Sequence, residues 1–227
     1  MGELFTAEFW DYFSPLLLTG TRDTLVMTVV STVFAYLLGL PLGVLLVLTG
    51  DHGICPHQTL NRCVGWVINV GRSLPFIILM VCVMPFTKIL VGTKIGVLGA
   101  IPPLVISAAP FIARMVETSL SEVDAGVVEA AQSMGASTLQ IVRKVYLPEA
   151  LPSLILGGSI SIITILAYTA IAGAIGAGGL GDLAIRYGYQ RREPAKMWVA
   201  AVLLIVLVQV IQSVFSRVSN RIDKRLK

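Results

Sequence analysis

Residues 197–216 read MWVAAVLLIVLVQVIQSVFS, which is twenty residues without one Asp, Glu, Lys or Arg. A helix that crosses a bilayer needs about 20 predominantly apolar residues. Four further stretches lack charged residues in the same way, at 24–50, 73–87, 95–113 and 150–181. The pattern predicts an all-α integral membrane protein with five transmembrane helices.

The composition excludes several classes of protein. Of the 227 residues, 56% are hydrophobic and 13% are charged, whereas soluble domains carry about 25% charged residues. Soluble enzymes and free nucleic-acid binders are thereby excluded. The three cysteines are an odd number, which argues against a secreted disulfide scaffold. The net charge of +4 is interpreted as loop charge that orients the spans.

The uncharged stretches place the helices and indicate where they are irregular. The third stretch contains Pro102, Pro103 and Pro110, which predicts a bent or interrupted helix because proline lacks the backbone donor. The fourth ends at a cluster of glycines between 173 and 181. We expect spans over about 25–48, 70–89, 95–113, 153–172 and 197–215.

The distribution of Lys and Arg predicts the orientation. An odd number of spans puts the termini on opposite sides, and a dense basic tail is expected in the cytoplasm. Alternating from that tail assigns ten Lys and Arg to the inside and seven to the outside. The amino terminus is therefore expected outside and the carboxyl terminus in the cytoplasm. The basic residues of the tail are Arg217, Arg221, Lys224, Arg225 and Lys227.

One long hydrophilic segment, residues 114–149, is cytoplasmic in this arrangement and is expected to form two short helices. The stretches SEVD at 121–124 and STLQ at 137–140 have the pattern of capping boxes. Gly135 is expected to end the first helix and Pro148 the second. An exposed amphipathic helix needs a partner to cover its apolar face, which here consists of Val127, Val128, Ala131 and Met134.

A long spaced motif lies within this segment. It reads Glu129-Ala130-Ala131, three residues, Gly135, nine residues, and then Val145-Tyr146-Leu147-Pro148. This spacing resembles the Glu-Ala-Ala signature of ATP-binding-cassette importer permeases, where Ile usually stands in place of Val145. The resemblance implies a coupling helix that sits in a cleft of a cytoplasmic ATPase. The coupling residues that it implies are Val128, Glu129, Ala130, Ala131, Met134, Gly135, Leu147 and Pro148.

The physical character of the motif agrees with that role. Small Ala130 and Ala131 let a partner backbone approach closely, and Gly135 permits a sharp turn. The alternative is a helix-turn-helix that reads DNA. It is opposed by neighbouring carboxylates, which would repel phosphates, at Glu117, Glu122, Asp124 and Glu129.

The resemblance extends along the chain. Four further stretches look like those of methionine importer permeases: RSLPFII at 72–78, APFIAR at 109–114, QIVRKV at 140–145 and GAGGLG at 176–181. They imply a type I importer permease of the bacterial inner membrane, with residues 1–227 as one transmembrane domain and a coupling loop at about 115–149. They also imply a homodimer, two cytoplasmic ATPase subunits, and an extracytoplasmic methionine-binding lipoprotein that docks on the outer loops, including residues 186–196.

We expect a transport subunit, not an enzyme, that holds no cofactor itself. A P-loop requires Gly-Lys, and no lysine in the chain directly follows a glycine, so ATP and Mg would be bound by the partner ATPase. The spans contain no acidic residue. Proton- and sodium-coupled carriers usually bury ionisable groups near the membrane midplane, so secondary transport is disfavoured.

A substrate path through these spans must use hydroxyl, backbone and apolar groups. Hydroxyl groups in spans also serve as packing contacts between helices, so both interpretations stay open for each candidate. The path candidates are Ser107, Thr164, Tyr168, Thr169 and Ile171.

The glycine cluster fits the dinucleotide fingerprint G-x-G-x-x-G at 176–181. However, it follows a long apolar helix, and Ala201 stands where an acidic residue is expected. We interpret the cluster as a hinge in irregular backbone that lines a cavity. The hinge residues are Gly173, Gly176, Gly178, Gly179 and Gly181.

One short loop gathers His52, Cys55, His57 and Cys63. A structural zinc site pairs its ligands two to four residues apart, with a longer gap between the pairs. Here three candidates crowd together and Cys63 stands apart, so an ordinary loop is the preferred interpretation and no metal site is assigned.

Two alternatives for the function stay open. The same architecture could import another small amino acid or organic solute. A non-transporting membrane scaffold could use the cytoplasmic helix to recruit some other partner.

Overall fold

A computed structural model describes residues 7–222, which are mostly helical and contain no strand. The helices of this part of the chain are α1 Ala7–Thr49, α2 Gln58–Ser73, α3 Phe76–Val91, α4 Gly96–Ser121, α5 Ala125–Ser133, α6 Thr138–Ile141, α7 Leu147–Glu149, α8 Leu151–Ala172, α9 Gly179–Asp182 and α10 Pro194–Ile222. Wider π-helical segments follow α6, α8 and α9, at Val142–Tyr146, Gly173–Ala177 and Leu183–Gln190. The tail residues Lys224, Arg225 and Lys227 lie outside the described residues.

Four helices of the described chain are long and apolar enough to cross a membrane, namely α1, α4, α8 and α10. Helices α2 and α3 meet that condition as a broken pair. The predicted all-α membrane architecture is therefore confirmed, with a fifth span when this pair is counted as one.

The first span is much longer than predicted. Helix α1 begins at Ala7, not near residue 25, and has 43 residues. At 1.5 Å per residue it extends about 65 Å, roughly twice the hydrocarbon thickness of a bilayer. The predicted boundary is wrong because Arg22 and Asp23 interrupt the hydrophobic pattern without interrupting the backbone hydrogen bonds.

The prediction of the second span as one helix over 70–89 is wrong. Helix α2 ends at Ser73 and α3 begins at Phe76. Pro75 precedes α3 with φ of −55° and ψ of 134°, which is an extended conformation. Proline disfavours a helical conformation in the residue before it and removes one donor, so it ends the helix within an apolar stretch.

The third span is not interrupted at its prolines, and the bend that was the other expectation stays a prediction. Helix α4 runs through Pro102, Pro103 and Pro110 to Ser121, because neighbouring groups in a membrane helix compensate for the missing donors. It also passes the predicted end at residue 113. The Arg114 guanidinium donates to the Glu117 carboxylate one turn later, at 2.6 Å, so the two charges are paired within the helix.

The chain divides into two compact units. The first unit comprises Met1–Val33, Leu74–Ser107 and Ile162–Ile211. One of its buried clusters consists of Met27, Phe76, Met80, Ala100, Leu104, Ala172 and Ala177. A second buried cluster consists of Leu180, Leu183 and Ala200.

The second unit comprises Phe34–Ser73, Ala108–Ser161 and Gln212–Lys227. In this unit α1 and α4 approach so closely that a Cβ on Gly43 would lie 2.6 Å from the Ala113 carbonyl oxygen. Glycine is therefore required at that contact. A second Arg114 bond, from Nη2 to Asn69 Oδ1 at 3.0 Å, ties α2 to α4.

Candidate coupling site and glycine hinge

Residues 124–149, here called the coupling segment, begin with a capped helix. The Asp124 carboxylate accepts a hydrogen bond from the Gly126 amide at 2.8 Å and so caps α5. The predicted capping box at 121–124 is wrong, because Asp124, expected as its last member, is itself the N-cap of α5. Ser121 ends α4, and its hydroxyl donates to the Glu117 carbonyl at 2.8 Å. Ser121 therefore belongs to the preceding helix, and the N-cap position of α5 is occupied by Asp124.

Gly135 turns the chain out of α5. Its φ of +78° is left-handed, a conformation that costs residues with a Cβ about 1–2 kcal/mol. The Gly135 amide donates to the Gln132 carbonyl at 2.9 Å, and the Ala136 amide donates to the Ala131 carbonyl at 3.1 Å. These bonds satisfy two of the last carbonyls of α5, and the predicted end of the helix is confirmed.

The second helix of the segment begins as predicted and ends later. The Ser137 hydroxyl accepts from the Gln140 amide at 3.4 Å, while the Ser137 amide donates to Gln140 Oε1 at 2.8 Å, so the predicted capping box is confirmed. Pro148 does not end the helix, which continues to Glu149. The Leu147 amide bonds the Val142 carbonyl five residues back. The backbone hydrogen bonds have therefore changed from a spacing of four residues to five just before Pro148, which lacks a backbone donor.

The predicted apolar face of α5 is divided between the interior and the surface. Val128 and Ala131 are buried, with 8% and 6% exposed, and α5 packs against the π-helical segment Val142–Tyr146. Met134 is 80% exposed and Val127 is also exposed. One half of the face therefore holds α5 in place, and the other half presents apolar surface.

The remaining predicted coupling residues lie mostly on the surface. Glu129, Ala130 and Pro148 are exposed, and Leu147 is half-buried. The structure adds Leu139, whose side chain is 58% exposed on α6. Sequence reasoning missed Leu139 because it falls among the nine unspecified residues of the motif, although an apolar residue in the first turn of a capped helix was a visible signal.

A cavity of about 440 Å³ lies beside α5. Val128, Glu129 and Gln132 line it from α5, and Tyr146 lines it from the π-helical segment. Burial raises the pKa of the Tyr146 phenol, which favours its neutral form. The cavity leaves one side of the coupling helix without packed neighbours.

The loop that gathers both histidines contacts the coupling segment. Cys55 Sγ lies 3.7 Å from Thr138 Oγ1, and His57 Nδ1 accepts from the Leu60 amide at 3.2 Å. Within residues 7–222, no group of three or more His, Cys, Asp or Glu side chains is placed to hold a metal ion.

Of the predicted path residues, Tyr168 has the most distinctive surroundings. Its ring stacks on Phe76 with centroids 4.6 Å apart and planes 3° apart. It also packs against the buried cluster that contains Met27 and Met80. Sequence reasoning missed Phe76 and both methionines, because only the packing of α1, α3 and α8 brings them to Tyr168.

The other path candidates differ in their burial. The Thr169 hydroxyl is buried and donates to the Leu166 carbonyl of its own helix at 2.7 Å, and its place in the path stays a prediction. Ser107 is buried, Thr164 is half-buried, and Ile171 is 38% exposed.

The glycine segment, residues 173–182, leaves helical geometry between α8 and α9. Gly176 has φ of +94° inside the π-helical segment, and Gly178 has φ of +83° with ψ of −160°. The irregular backbone expected here is therefore present, and its role as a hinge stays a prediction.

Cations and aromatic rings meet beyond α9 in an arrangement that sequence reasoning missed. Lys196 is 7% exposed and pairs with the Glu193 carboxylate. Its ammonium lies 4.7 Å from the ring of Tyr12 and 5.8 Å from that of Tyr187, while the Arg191 guanidinium lies 4.5 Å from the Tyr187 ring. These cation–π contacts hold the beginning of α10 against the beginning of α1.

Residues 39–227 match the family described as binding-protein-dependent transport system inner membrane component. The chain belongs to this family. It is thus a multi-pass inner-membrane protein and a transport component.

Individual relatives agree over nearly the full length. The chain is 50% identical over 219 residues to the probable D-methionine transport system permease protein MetI of Vibrio cholerae, covering 96% of this chain and 97% of that one. It is 47% identical to the methionine import system permease protein MetP of Bacillus subtilis, covering 80% and 82% of the two chains.

Solved structures support the fold. The inward-facing MetNI methionine ABC transporter matches with a TM-score of 0.92 and 47% identity, covering 93% of this chain and 98% of that one. An amino acid ABC transporter described with histidines matches with a TM-score of 0.73 at 21% identity, covering 92% and 95% of the two chains, and this likeness concerns the fold alone. The predicted type I importer permease fold is confirmed.

Proposed function

We propose that this chain is the membrane-spanning subunit of an ATP-driven importer of methionine. The observation that carries the proposal is 50% identity with the Vibrio cholerae MetI protein along almost the whole of both chains. A match of this extent includes the coupling segment, the glycine segment and every span, so the proposal does not depend on one short motif.

In this proposal the coupling segment transmits movement from a cytoplasmic ATPase to the spans. Met134 presents an apolar side chain that is 80% exposed, next to the small Ala130, so a partner can approach and cover it. Val128 and Ala131 anchor α5 from the other side. A displacement of α5 would pass through the π-helical segment Val142–Tyr146 into α7 and α8, which are separated by one residue.

The partners proposed are a second copy of this chain, two ATPase subunits that bind ATP and Mg, and an extracytoplasmic methionine-binding lipoprotein. The family description names dependence on a binding protein, and the solved relative is an ABC transporter. Residues 1–227 would act as one permease domain. The amino terminus would lie outside and the carboxyl terminus in the cytoplasm, as the loop charges predict.

The path proposed uses apolar and hydroxyl groups. Tyr168, stacked on Phe76 and packed near Met27 and Met80, offers a surface suited to a thioether, because sulfur makes favourable contacts with aromatic rings. The other path residues proposed are Ser107, Thr164, Thr169 and Ile171.

The test is uptake of radiolabelled methionine in a strain that lacks its own methionine importer, complemented with this chain and the ATPase encoded beside it. We expect uptake with the wild-type pair and none when the P-loop lysine of the ATPase is replaced. A wild-type pair that co-purifies but takes up another amino acid would overturn the substrate. Failure of the two proteins to co-purify would overturn the coupling role and favour the scaffold alternative.

A further inference from the structure

The glycine segment is attached to α1 by a buried hydrogen bond. Thr24 Oγ1 accepts from the Leu180 amide at 2.9 Å, across 156 positions of sequence. Thr24 is 1% exposed and Leu180 is 0% exposed. A buried amide without an acceptor pays its full desolvation cost, so this hydroxyl is the group that allows α9 to begin against α1.

Side chains interlock around the same contact. A Cβ on Gly179 would lie 2.7 Å from Thr24 Oγ1 and 3.0 Å from the Met27 methyl group. A Cβ on Gly20 would lie 2.7 Å from Leu183 Cδ1. Leu183 and Thr24 therefore fit into spaces that the opposite glycines leave open, and a shift of α9 along α1 would meet side chains in both directions.

The contact of the glycine segment with α8 has a different character. A Cβ on Gly181 would collide with the backbone of Ala170 in α8. Within the segment itself, a Cβ on Gly173, the residue directly after α8, would lie 2.9 Å from the Gly178 carbonyl oxygen. These glycines pack backbone against backbone, without side chains that interlock. The two backbones therefore lie close together without interlocking side chains. Between α8 and α9 the chain leaves helical geometry at Gly176 and Gly178.

We propose that the hydrogen bond to Thr24 holds α9 against α1, so that α9 stays with α1 while the end of α8 moves about Gly176 and Gly178 during transport. Thr24 is then a positioning residue for the transport cycle. The inference rests on the proposed function only for the existence of that cycle, since the hydrogen bond between Thr24 and Leu180 is present in the structure without any substrate.

The first test is amide hydrogen exchange of the full chain in lipid nanodiscs. Thr24→Val keeps the shape of the side chain and removes the acceptor, and we expect exchange at residues 179–183 to become at least about fivefold faster. Thr24→Ser keeps the acceptor and should restore the wild-type rate. If Thr24→Val inserts poorly, Thr24→Ala removes the same acceptor and carries the same expectation.

Thr28→Val is the matched control. Thr28 lies one turn later on α1, is 2% exposed, and donates to the Thr24 carbonyl of its own helix at 2.8 Å. We expect its loss to leave exchange at residues 179–183 unchanged. Equal exchange rates at residues 179–183 in the Thr24→Val and Thr28→Val variants would overturn the proposed role of Thr24.

The second test asks whether α9 moves with α1. Cysteines replace Gly20 and Leu183, and the native Cys55, Cys63 and Cys82 are replaced by serine. We expect uptake after disulfide formation to remain within about twofold of the same variant under reduction, because the two positions move together. Uptake that is lost on oxidation and recovered on reduction would overturn the proposal.

Coupling gives a third measurement. In the complete transporter we expect Thr24→Val to lower methionine uptake per ATP hydrolysed by about fivefold or more, while Thr24→Ser and Thr28→Val stay near wild type. A wild-type transporter that does not carry methionine would overturn the proposed substrate, whereas the hydrogen-exchange result stands or falls without any substrate.

Discussion

The coupling segment and the glycine segment are both interrupted helices with a π-helical stretch, yet they are held in opposite ways. In the coupling segment, side chains a few residues away cap the breaks, as Asp124 and Ser137 do, and apolar surface remains exposed at Met134. In the described glycine segment, the N-cap residues of Gly173–Ala177 and α9 make no side-chain capping bond, and the Leu180 amide of α9 instead donates to Thr24 on α1. Close packing by other helices keeps its backbone in place.

An interruption in a helix can thus be held by neighbouring residues of the chain or by contacts with distant ones. A locally capped segment keeps its form while its surface is free to meet a partner. A segment held by packing keeps its conformation only while the neighbouring helices of its unit are in place. Steric crowding and burial therefore decide which substitutions it tolerates. Each of the following changes tests one side of this contrast.

Gly181→Ala should have the largest effect, because the added methyl group would collide with the Ala170 backbone. Overpacking costs about 1–3 kcal/mol where side chains can adjust, and here backbone must shift, so we expect destabilisation of more than about 3 kcal/mol in thermal unfolding in detergent. The control is Gly176→Ala, which has open space around it and a φ of +94°, and should cost about 1–2 kcal/mol. Equal losses would mean that crowding does not hold the glycine segment.

Gly135→Val should come next, because a β-branched residue is strained at a φ of +78° although nothing lies within 4 Å of its Cβ position. We expect about 2 kcal/mol of local strain, membrane insertion as in wild type, and ATP hydrolysis without matching uptake. Deleting residues 129–134 should have the same consequence. Gly135→Asn, which tolerates the left-handed region, should retain coupling, and normal uptake by the valine variant would contradict the coupling role.

Met134→Glu should leave stability within about 0.5 kcal/mol of wild type, as is usual for exposed positions. It should weaken association with the ATPase at least about tenfold, or about 1.4 kcal/mol, measured as the concentration needed for co-purification. Gln132→Glu adds the same charge on the side of α5 that lines the cavity, and we expect it to bind nearly normally. Equal weakening by both variants would point to general repulsion and not to a specific contact.

Ser137→Ala should have the smallest effect, because it removes one half of a capping box. The expected loss is about 1 kcal/mol, seen as roughly fivefold faster exchange of the amides of α6. Ser133→Ala is the control. Ser133 is exposed and is neither the N-cap nor the C-cap residue of α5, so the exchange rates of α6 should stay unchanged. Unchanged exchange in Ser137→Ala would show that α6 is held by packing, as the glycine segment is.

Several features of the fold could be predicted because their physics is local. The spans follow from uncharged stretches, and the Ser137 capping box and the Gly135 turn follow from bonds that reach no more than five residues along the chain. Errors arose where a local rule was applied too simply. Arg22 and Asp23 did not mark the beginning of α1, the prolines did not interrupt α4, and Pro75 did break the second span.

The candidate sites divide in the same way. The exposed position of Met134 on a short capped helix agrees with the amphipathic pattern, whereas the burial of Val128 and Ala131 against the π-helical segment depends on how that helix folds back. The surroundings of Tyr168 could not be predicted, because its partner Phe76 lies on another helix and both rings are simply apolar in the sequence.

The local sequence pattern is enough to show that this is a membrane protein, where its spans lie approximately, and how the second helix of its coupling segment is capped. Hydrophobic transfer and backbone capping act on neighbouring residues, so their pattern is visible in one dimension. Only the tertiary structure decided that Thr24 meets Leu180, that Phe76 stacks on Tyr168, and that Lys196 is enclosed by Glu193 and aromatic rings. Those contacts depend on which helix faces pack together, and that choice is made by shape and burial across the whole fold.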